Sequence, residues 1–487
     1  MKYTLLFFVL LLAACRPPWD DPKEAFSQPV QVVPTPALTY PLRGDALKIG
    51  INAHPQAPQA LLRPFARVRL YEPWRYTYTP LGIATEPSRT GNCNLDTYYQ
   101  VAKDAGQTVS PCVSWKLDWL ANTAQPEWLH APMNDPGTNP DSPFAYGEWS
   151  RYWWQITARY GRFAWNDIYL RVDDTPRWNN DIVNTKKTGL ATLDYVEPEN
   201  EPNRWWKPPY AQYTPAQAAA MLSAAFDGHM GQMGFGTGIK CSDDLMKVVM
   251  PGSSAIDTTW LQGIYDWCIA NRTGPTFWIM PFDVINLHHY CNAGNGASPK
   301  VNLTGPGVCP EADGFKARIS GAVAWKNSHV PGAEIWLSEF GWDTDPSSPQ
   351  RCEAHGAFDQ ETVQAQWIVR AYLEAIAAGV DGAYAYCLAN EPGNTGLFGA
   401  SGLTSSEGTG FVPKKSYYAV LNLIAQLNGF SYAGDFSTDT VRRYKFQSPE
   451  GQIKFVVWSP TMDGRTVFLQ TPGGLVTVTE TPIFIHY

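Results

Sequence analysis

Eight short apolar runs separated by helical pattern constrain this chain of 487 residues more than any other feature. They are "LKIGIN" (47 to 52), "ARVRLY" (66 to 71), "TVSPCVSW" (108 to 115), "DYVEPEN" (194 to 200), "MKVVM" (246 to 250), "DVINLHHY" (283 to 290), "AEIWLSEF" (333 to 340) and "DGAYAYC" (381 to 387). The segments between them carry helix punctuation. Thr214, Pro215 and Gln217 form a capping-box start with Gly228 as the stop. Val363, Trp367, Ala371 and Ala375 recur at i, i+4 and end at Gly379, and Tyr417, Leu421 and Ile424 repeat the device before Gly429. Strands alternating with helices predict an α/β fold, a (β/α)8 barrel whose chemistry sits at the C-terminal strand ends. A doubly wound open sheet is the competing architecture, but no Gly-rich phosphate loop follows the first run.

From Phe430 the pattern changes to alternating runs bounded by turn residues, "TVRRYKFQSPEGQIKFVVWSP", "GRTVFLQTPGG", "LVTVTET" and "PIFIHY". These predict a small antiparallel β-sandwich domain over 430 to 487, after a barrel over 47 to 429. The stretch from Lys116 to Leu193 is too long for a simple connection. It is expected to hold one barrel helix plus an excursion over the catalytic face.

The first residues, "MKYTLLFFVLLLAAC", join one lysine to a short apolar run and small residues before Cys15. This is a signal-peptide pattern, too short for a mature membrane anchor. "LAAC" resembles the lipobox of bacterial lipoproteins, which implies lipidation at Cys15, with an ordinary cleaved secretory signal as the alternative. Residues 16 to 46 are Pro-rich and read as a tether. Arg16 in the position after the cysteine points to the outer membrane, on either face. The other eight cysteines include no CxxC pair, so no zinc site is expected, and Cys291 with Cys309 is the favoured disulfide. A net charge of -8 with mixed signs excludes a phosphate-binding basic patch, and nucleic acid is not an expected partner. The 20 tryptophans exceed what a core of this size needs, and tryptophan faces also stack on sugar rings.

The chemistry concentrates in "YVEPENEPNRWW", which carries Glu197, Glu199 and Glu201. Residues of equal parity share one face of an extended strand. An unpaired carboxylate inside a barrel costs several kcal/mol, so the three cannot be equivalent. Glu197 lies deeper and is expected to pair with Arg69, whereas Glu201 is nearest the open end. "EIWLSEFGW" places Glu339 at the end of the seventh strand, across the barrel mouth from the fourth. Two facing carboxyl groups are what retaining cleavage of a glycosidic bond requires, at a separation of about 5 to 5.5 Å.

"NEP" at 200 to 202, "HHY" at 288 to 290 and "SEFGW" at 338 to 342 resemble the retaining glycoside hydrolases of the (β/α)8-barrel clan that includes cellulases, mannanases and xylosidases. The resemblance runs from about residue 47 to the end. It implies Glu201 as acid/base, Glu339 as nucleophile and Asn200 as the partner of a sugar 2-hydroxyl. It also implies a hydrogen bond from Tyr290 to Glu339, with Arg69 as the basic residue near the nucleophile. His288 is expected to line the mouth. Trp205, Trp206 and Trp342 are candidate sugar platforms, with Trp74, Trp115 and Trp119 behind them. At the eighth strand the chain departs from the clan, offering Tyr384 and Tyr386 where many members carry a tryptophan. The adjacent His288 and His289 suggest a metal, but no third ligand is evident, so no metal or cofactor is expected. The reading is a monomeric, lipid-anchored glycosidase acting on a carbohydrate. A non-catalytic glycan-binding lipoprotein and a transglycosylase are the alternatives.

Overall fold

A computed structural model describes residues 40–85, 93–175, 183–274, 278–471 and 474–486. Cys15 and the rest of residues 1 to 39, expected from the sequence to be a signal segment and tether, lie outside the described residues.

The eight apolar runs all form parallel strands: β1 (Ile49–Ala53), β2 (Arg67–Pro73), β3 (Thr108–Ser114), β4 (Tyr195–Pro198), β5 (Lys247–Val248), β6 (Val284–His288), β7 (Glu334–Phe340) and β8 (Gly382–Ala385). Their order is β5-β4-β3-β2-β1-β8-β7-β6, and the bridges Val249 to Val284 and Ser253 to Leu287 join β5 to β6 to close the ring. Helices follow as α1 (Leu95–Asp104), α2 (Gly147–Tyr160), α3 (Pro215–Asp227), α4 (Thr258–Asn271), α5 (Phe315–His329), α6 (Gln360–Ala378) and α7 (Lys415–Leu427). Only a single turn, Gln59–Leu62, fills the helix position after β1. The expected capping box at Thr214 and Gln217 is present, and Gly228 ends α3 in the left-handed conformation at φ 61°.

Inside the barrel, side chains of alternate residues stack in layers. Trp336 and Tyr384 fill the bottom layer, and Gly50 makes room for the Tyr384 ring, since a Cβ there would lie 2.4 Å from it. The polar layer above is the support of the mouth. The excursion after β3 contains the short 3-10 turns Asp118–Leu120, Trp128–His130 and Pro143–Ala145 before α2, the barrel helix expected in this stretch.

The C-terminal strands are β9 (Ser431–Asp435), β10 (Arg442–Gln447), β11 (Ile453–Trp458), β12 (Val467–Thr471), β13 (Gly474–Val478) and β14 (Ile483–His486). They form an antiparallel sheet β9-β10-β11-β14 and a ribbon β12-β13. Alternation explains the two layers: Tyr444, Phe446, Val456 and Trp458 join the main core, whereas Phe455 and Val457 pack with Val467, Leu469 and Val478 of the ribbon. Residues 40 to 46, expected from the sequence to end a tether, are part of the fold instead. Leu42 and Ala46 are buried, and Asp45 accepts from the Tyr432 amide at 2.6 Å, so this segment is sewn to the β domain. Cys291 and Cys309 are buried and both free, contrary to the expected bridge.

Candidate active site

The polar layer is built around Arg69, which is wholly buried. Its guanidinium grips Glu197 by two hydrogen bonds of 2.7 Å, as expected from the sequence. The Gly252 amide (3.1 Å) and Asn286 Nδ2 (3.0 Å) also donate to Glu197, so that carboxylate is satisfied and unavailable for chemistry. The remaining Arg69 donors reach upward, to Asn52 Oδ1 (3.1 Å), Asn200 Oδ1 (2.7 Å) and Glu339 Oε1 (2.8 Å). Arg69 therefore supports the mouth from below and does not line it.

Glu339 faces inward because of a β-bulge. Leu287 pairs with Leu337 but His288 pairs with Glu339, so β7 carries one extra residue at Ser338. Without it, inward-facing Trp336 and Ser338 would set a parity that turns Glu339 outward. Tyr290 donates to Glu339 Oε2 at 2.7 Å, and the Tyr71 hydroxyl donates to Oε1. Burial raises the pKa of Glu339, but the charges of His288 and Arg69 and these hydrogen bonds outweigh it and hold the carboxyl below the ordinary range.

β4 ends at Pro198, and the shared parity of the three glutamates ends with it. Glu199 at φ 90° and Glu201 at φ 48° adopt positive φ, which costs a residue with a Cβ on the order of 1 kcal/mol each. Glu199 is turned into a buried site against Arg204 at 3.0 Å, whereas the Glu201 side chain keeps 19% exposure at the mouth. His288 Nδ1 stands 2.9 Å from Glu201 Oε1 and 3.3 Å from Glu339 Oε1, and its Nε2 meets Ser338 Oγ at 2.9 Å. Burial pushes the Glu201 pKa up and the nearby Glu339 charge adds to it, against the His288 hydrogen bond. One oxygen of Glu201, one of Glu339 and a nitrogen of His288 all lie within 4.8 Å of one another.

Asn200 has its carbonyl oxygen taken by Arg69, which fixes the amide orientation and leaves the NH2 for a ligand. Tyr386 is half-buried and forms an aromatic wall with Tyr71 (6.1 Å between centroids), Tyr290 (6.5 Å) and Phe398 (5.7 Å). Trp205 and Trp206 are half-buried and meet edge to face at 5.1 Å, with Lys300 Nζ over the Trp205 ring at 5.6 Å from its centroid, so each ring keeps only part of its surface open. Trp342 is corrected: it is wholly buried, donates to the Val308 carbonyl at 3.0 Å and packs on Trp367, which leaves it no face for a sugar. Trp74 is likewise buried, Trp115 is half-buried and Trp119 is exposed. Tyr384 belongs to the barrel floor.

Sequence reasoning missed Tyr71, Asn52 and Phe398. Tyr71 was legible in principle, because it shares parity with Arg69 one step closer to the mouth. Phe398 sits on the loop after β8, packed at 4.5 Å on Tyr290, and no periodicity marks it.

Among the described residues, two donor sets have the spacing of metal ligands: Glu201, His288 and Glu339, and His289, Cys291 and Asp313. Neither suits a cation. Arg69 already occupies Glu339 Oε1, and Arg318 Nε lies 3.2 Å from Asp313 Oδ2, so each set contains a resident positive charge. A cavity of about 510 Å³ opens between the excursion and the segment after β4, lined by Lys116, Asn134, Tyr210 and Gln217 among others. None of the residues around the two carboxylates lines it.

No protein-family model and no curated protein matches the sequence. Among solved structures, the chain is similar to a family 39 glycoside hydrolase from the gut symbiont Bacteroides cellulosilyticus WH2, with a TM-score of 0.54 and 15% identity over 90% of this chain and 80% of that one. It is also similar to SrfJ from Salmonella typhimurium, with a TM-score of 0.52 and 9% identity over 88% of this chain and 86% of that one. At these identities the likeness shows the fold alone, a (β/α)8 barrel with an appended β domain.

Proposed function

We propose that the protein is a retaining β-glycoside hydrolase in which Glu201 is the acid/base and Glu339 the nucleophile. The observation that carries this reading is the approach of the two carboxyl groups to within 4.8 Å, with their affinities for a proton biased in opposite directions. That spacing suits direct attack by one carboxylate and leaves no room for the water an inverting enzyme places between them. The glycoside hydrolase fold of the family 39 structure supports the reading at the level of architecture.

In the first step Glu339 attacks the anomeric carbon as the glycosidic C–O bond breaks, and the Glu201 proton passes to the departing oxygen. The product is a covalent glycosyl-enzyme. Glu201, now ionised, takes a proton from the incoming water, which attacks the anomeric carbon and releases the sugar with net retention. The Asn200 amide is the donor to the sugar 2-hydroxyl. Arg69, Tyr71 and Tyr290 keep Glu339 ionised, and Tyr386, Trp205 and Trp206 offer apolar faces to sugar rings. A lipid on Cys15 and a tether of some twenty residues would hold this domain in the cell envelope, facing extracytoplasmic glycans.

The test is release of product from a panel of β-linked polysaccharides and aryl β-glycosides by wild type, Glu201→Gln and Glu339→Gln. Turnover by wild type alone supports the assignment and names the sugar. Glycan binding without release by all three proteins would contradict it and leave a binding protein.

A further inference from the structure

The backbone that presents Glu201 is held by a group outside the reaction centre. Arg204 is 4% exposed. Its Nε donates to the Glu201 carbonyl at 2.9 Å, and one terminal nitrogen donates both to the Asn200 carbonyl at 2.9 Å and to Glu199 Oε1 at 3.0 Å. Its other terminal nitrogen reaches His130 Nδ1 at 3.1 Å. One planar cation thus contacts three successive residues, two of which have positive φ.

His130 comes from the excursion after β3. Burial and then the charges of Arg204 and Lys207 drive its pKa well down, so the ring is neutral and Nδ1 accepts from Arg204. Glu127 anchors the other side of this wall, pairing with Lys207 at 2.9 Å and standing 3.7 Å from His130 Nε2. The Glu199 carboxylate also accepts from the Asn200 backbone N–H at 2.9 Å, which tightens the turn from within. Glu201 N is bonded to the Gly252 carbonyl at 3.0 Å, so the loop is fixed from β5 as well.

We propose that Arg204, backed by His130 of the excursion, is the positioning residue of the acid/base, clamping the turn over 199 to 201 so that the Glu201 carboxyl stands at the glycosidic oxygen. The proposal rests on the hydrolase reading and goes beyond it by assigning the excursion a part in proton delivery. Arg204 touches neither substrate nor reacting atoms. Its contribution falls on the step in which a proton must reach the leaving group, and is small where the leaving group departs as a stable anion.

The experiment measures kcat/KM on aryl β-glycosides of the sugar that wild type releases, from phenyl to 2,4-dinitrophenyl leaving groups. The proteins are wild type, Arg204→Lys, Arg204→Met and the double variant Arg204→Met/Glu199→Gln. The double variant removes the carboxylate that Arg204→Met would strand in the interior, so a folded protein is available for the comparison, with Tm measured for each. The expected result is a fall of about 100-fold on the phenyl glycoside and about 5-fold or less on the dinitrophenyl glycoside, the signature of impaired general acid catalysis. A fall of equal size on both substrates, or none on either in a folded variant, overturns the positioning role while leaving the hydrolase reading intact. A wild type that cleaves none of the glycosides overturns the hydrolase reading, and the role of Arg204 with it.

Discussion

His288 Nδ1 lies 2.9 Å from Glu201 Oε1 and 3.3 Å from Glu339 Oε1, so a single imidazole, fixed from behind by Ser338, touches both carboxyl groups of the candidate site. The imidazole is placed by close approach: a Cβ on Gly252 would lie 2.0 Å from His288 Nε2. Gly252→Ala should therefore displace the ring and lower kcat by about 100-fold, the scale of a misplaced general acid, while the circular dichroism spectrum stays unchanged. Wild-type kcat in that variant would show that the ring has another place to go.

The opposite pKa biases of the two glutamates give kcat/KM a bell-shaped pH profile. On the proposed assignment its acid limb should report ionisation of Glu339 and lie below the ordinary carboxylate range, and its alkaline limb should report loss of the Glu201 proton and lie above it. Tyr290→Phe removes a hydrogen bond that favours ionised Glu339. The acid limb should then move to higher pH with the alkaline limb unmoved, and movement of the alkaline limb alone would reverse the two assignments.

The tryptophans separate by burial. Trp342→Ala should cost about 3 to 5 kcal/mol in denaturant unfolding, as for other large buried side chains. Trp205→Ala removes a half-buried ring and should leave stability within about 1 kcal/mol, yet raise KM for an oligosaccharide more than for an aryl monoglycoside. Equal effects of the two substitutions on KM would put Trp342 back among the platforms.

Glu72, at the outer side of β2, is buried and bonded by the Tyr99 hydroxyl, and its pKa is pushed up by burial to about 8. Raised in the folded state, this carboxyl favours the fold most below the ordinary carboxylate range and costs stability as pH climbs towards 8. The slope is at most ~1.4 kcal/mol per pH unit for one proton. Glu72→Gln should accordingly lose less Tm than wild type between pH 5 and 8. Parallel Tm curves would show that Glu72 is ionised in the fold across that range.

The architecture was legible because each strand is a short apolar run and each helix is punctuated, features that depend on neighbours in sequence alone. The pairing of Glu197 with Arg69 was legible for a related reason, since depth along a strand can be read from position. What escaped depends on local breaks in regularity. The Ser338 bulge decides that Glu339 faces inward, and the positive φ at Glu199 decides that this glutamate leaves the face it shared with Glu197. Neither follows from a periodic pattern. Trp342 follows Glu339 closely enough to suggest a platform, yet the chain turns it into the core, where Gly307 makes room beneath its ring. Phe398 enters the mouth from a loop whose path only the folded chain reveals.

In the proposed mechanism Glu339 attacks the anomeric carbon and Glu201 serves the leaving group and then the water. Time-resolved proton NMR of the first sugar released from a β-glycoside tests it most directly, because the anomeric signal is read before mutarotation. The β-anomer is expected first, with no signal from Glu339→Gln under the same conditions. The α-anomer appearing first would contradict it, since inversion requires a single displacement by water and no covalent intermediate on Glu339.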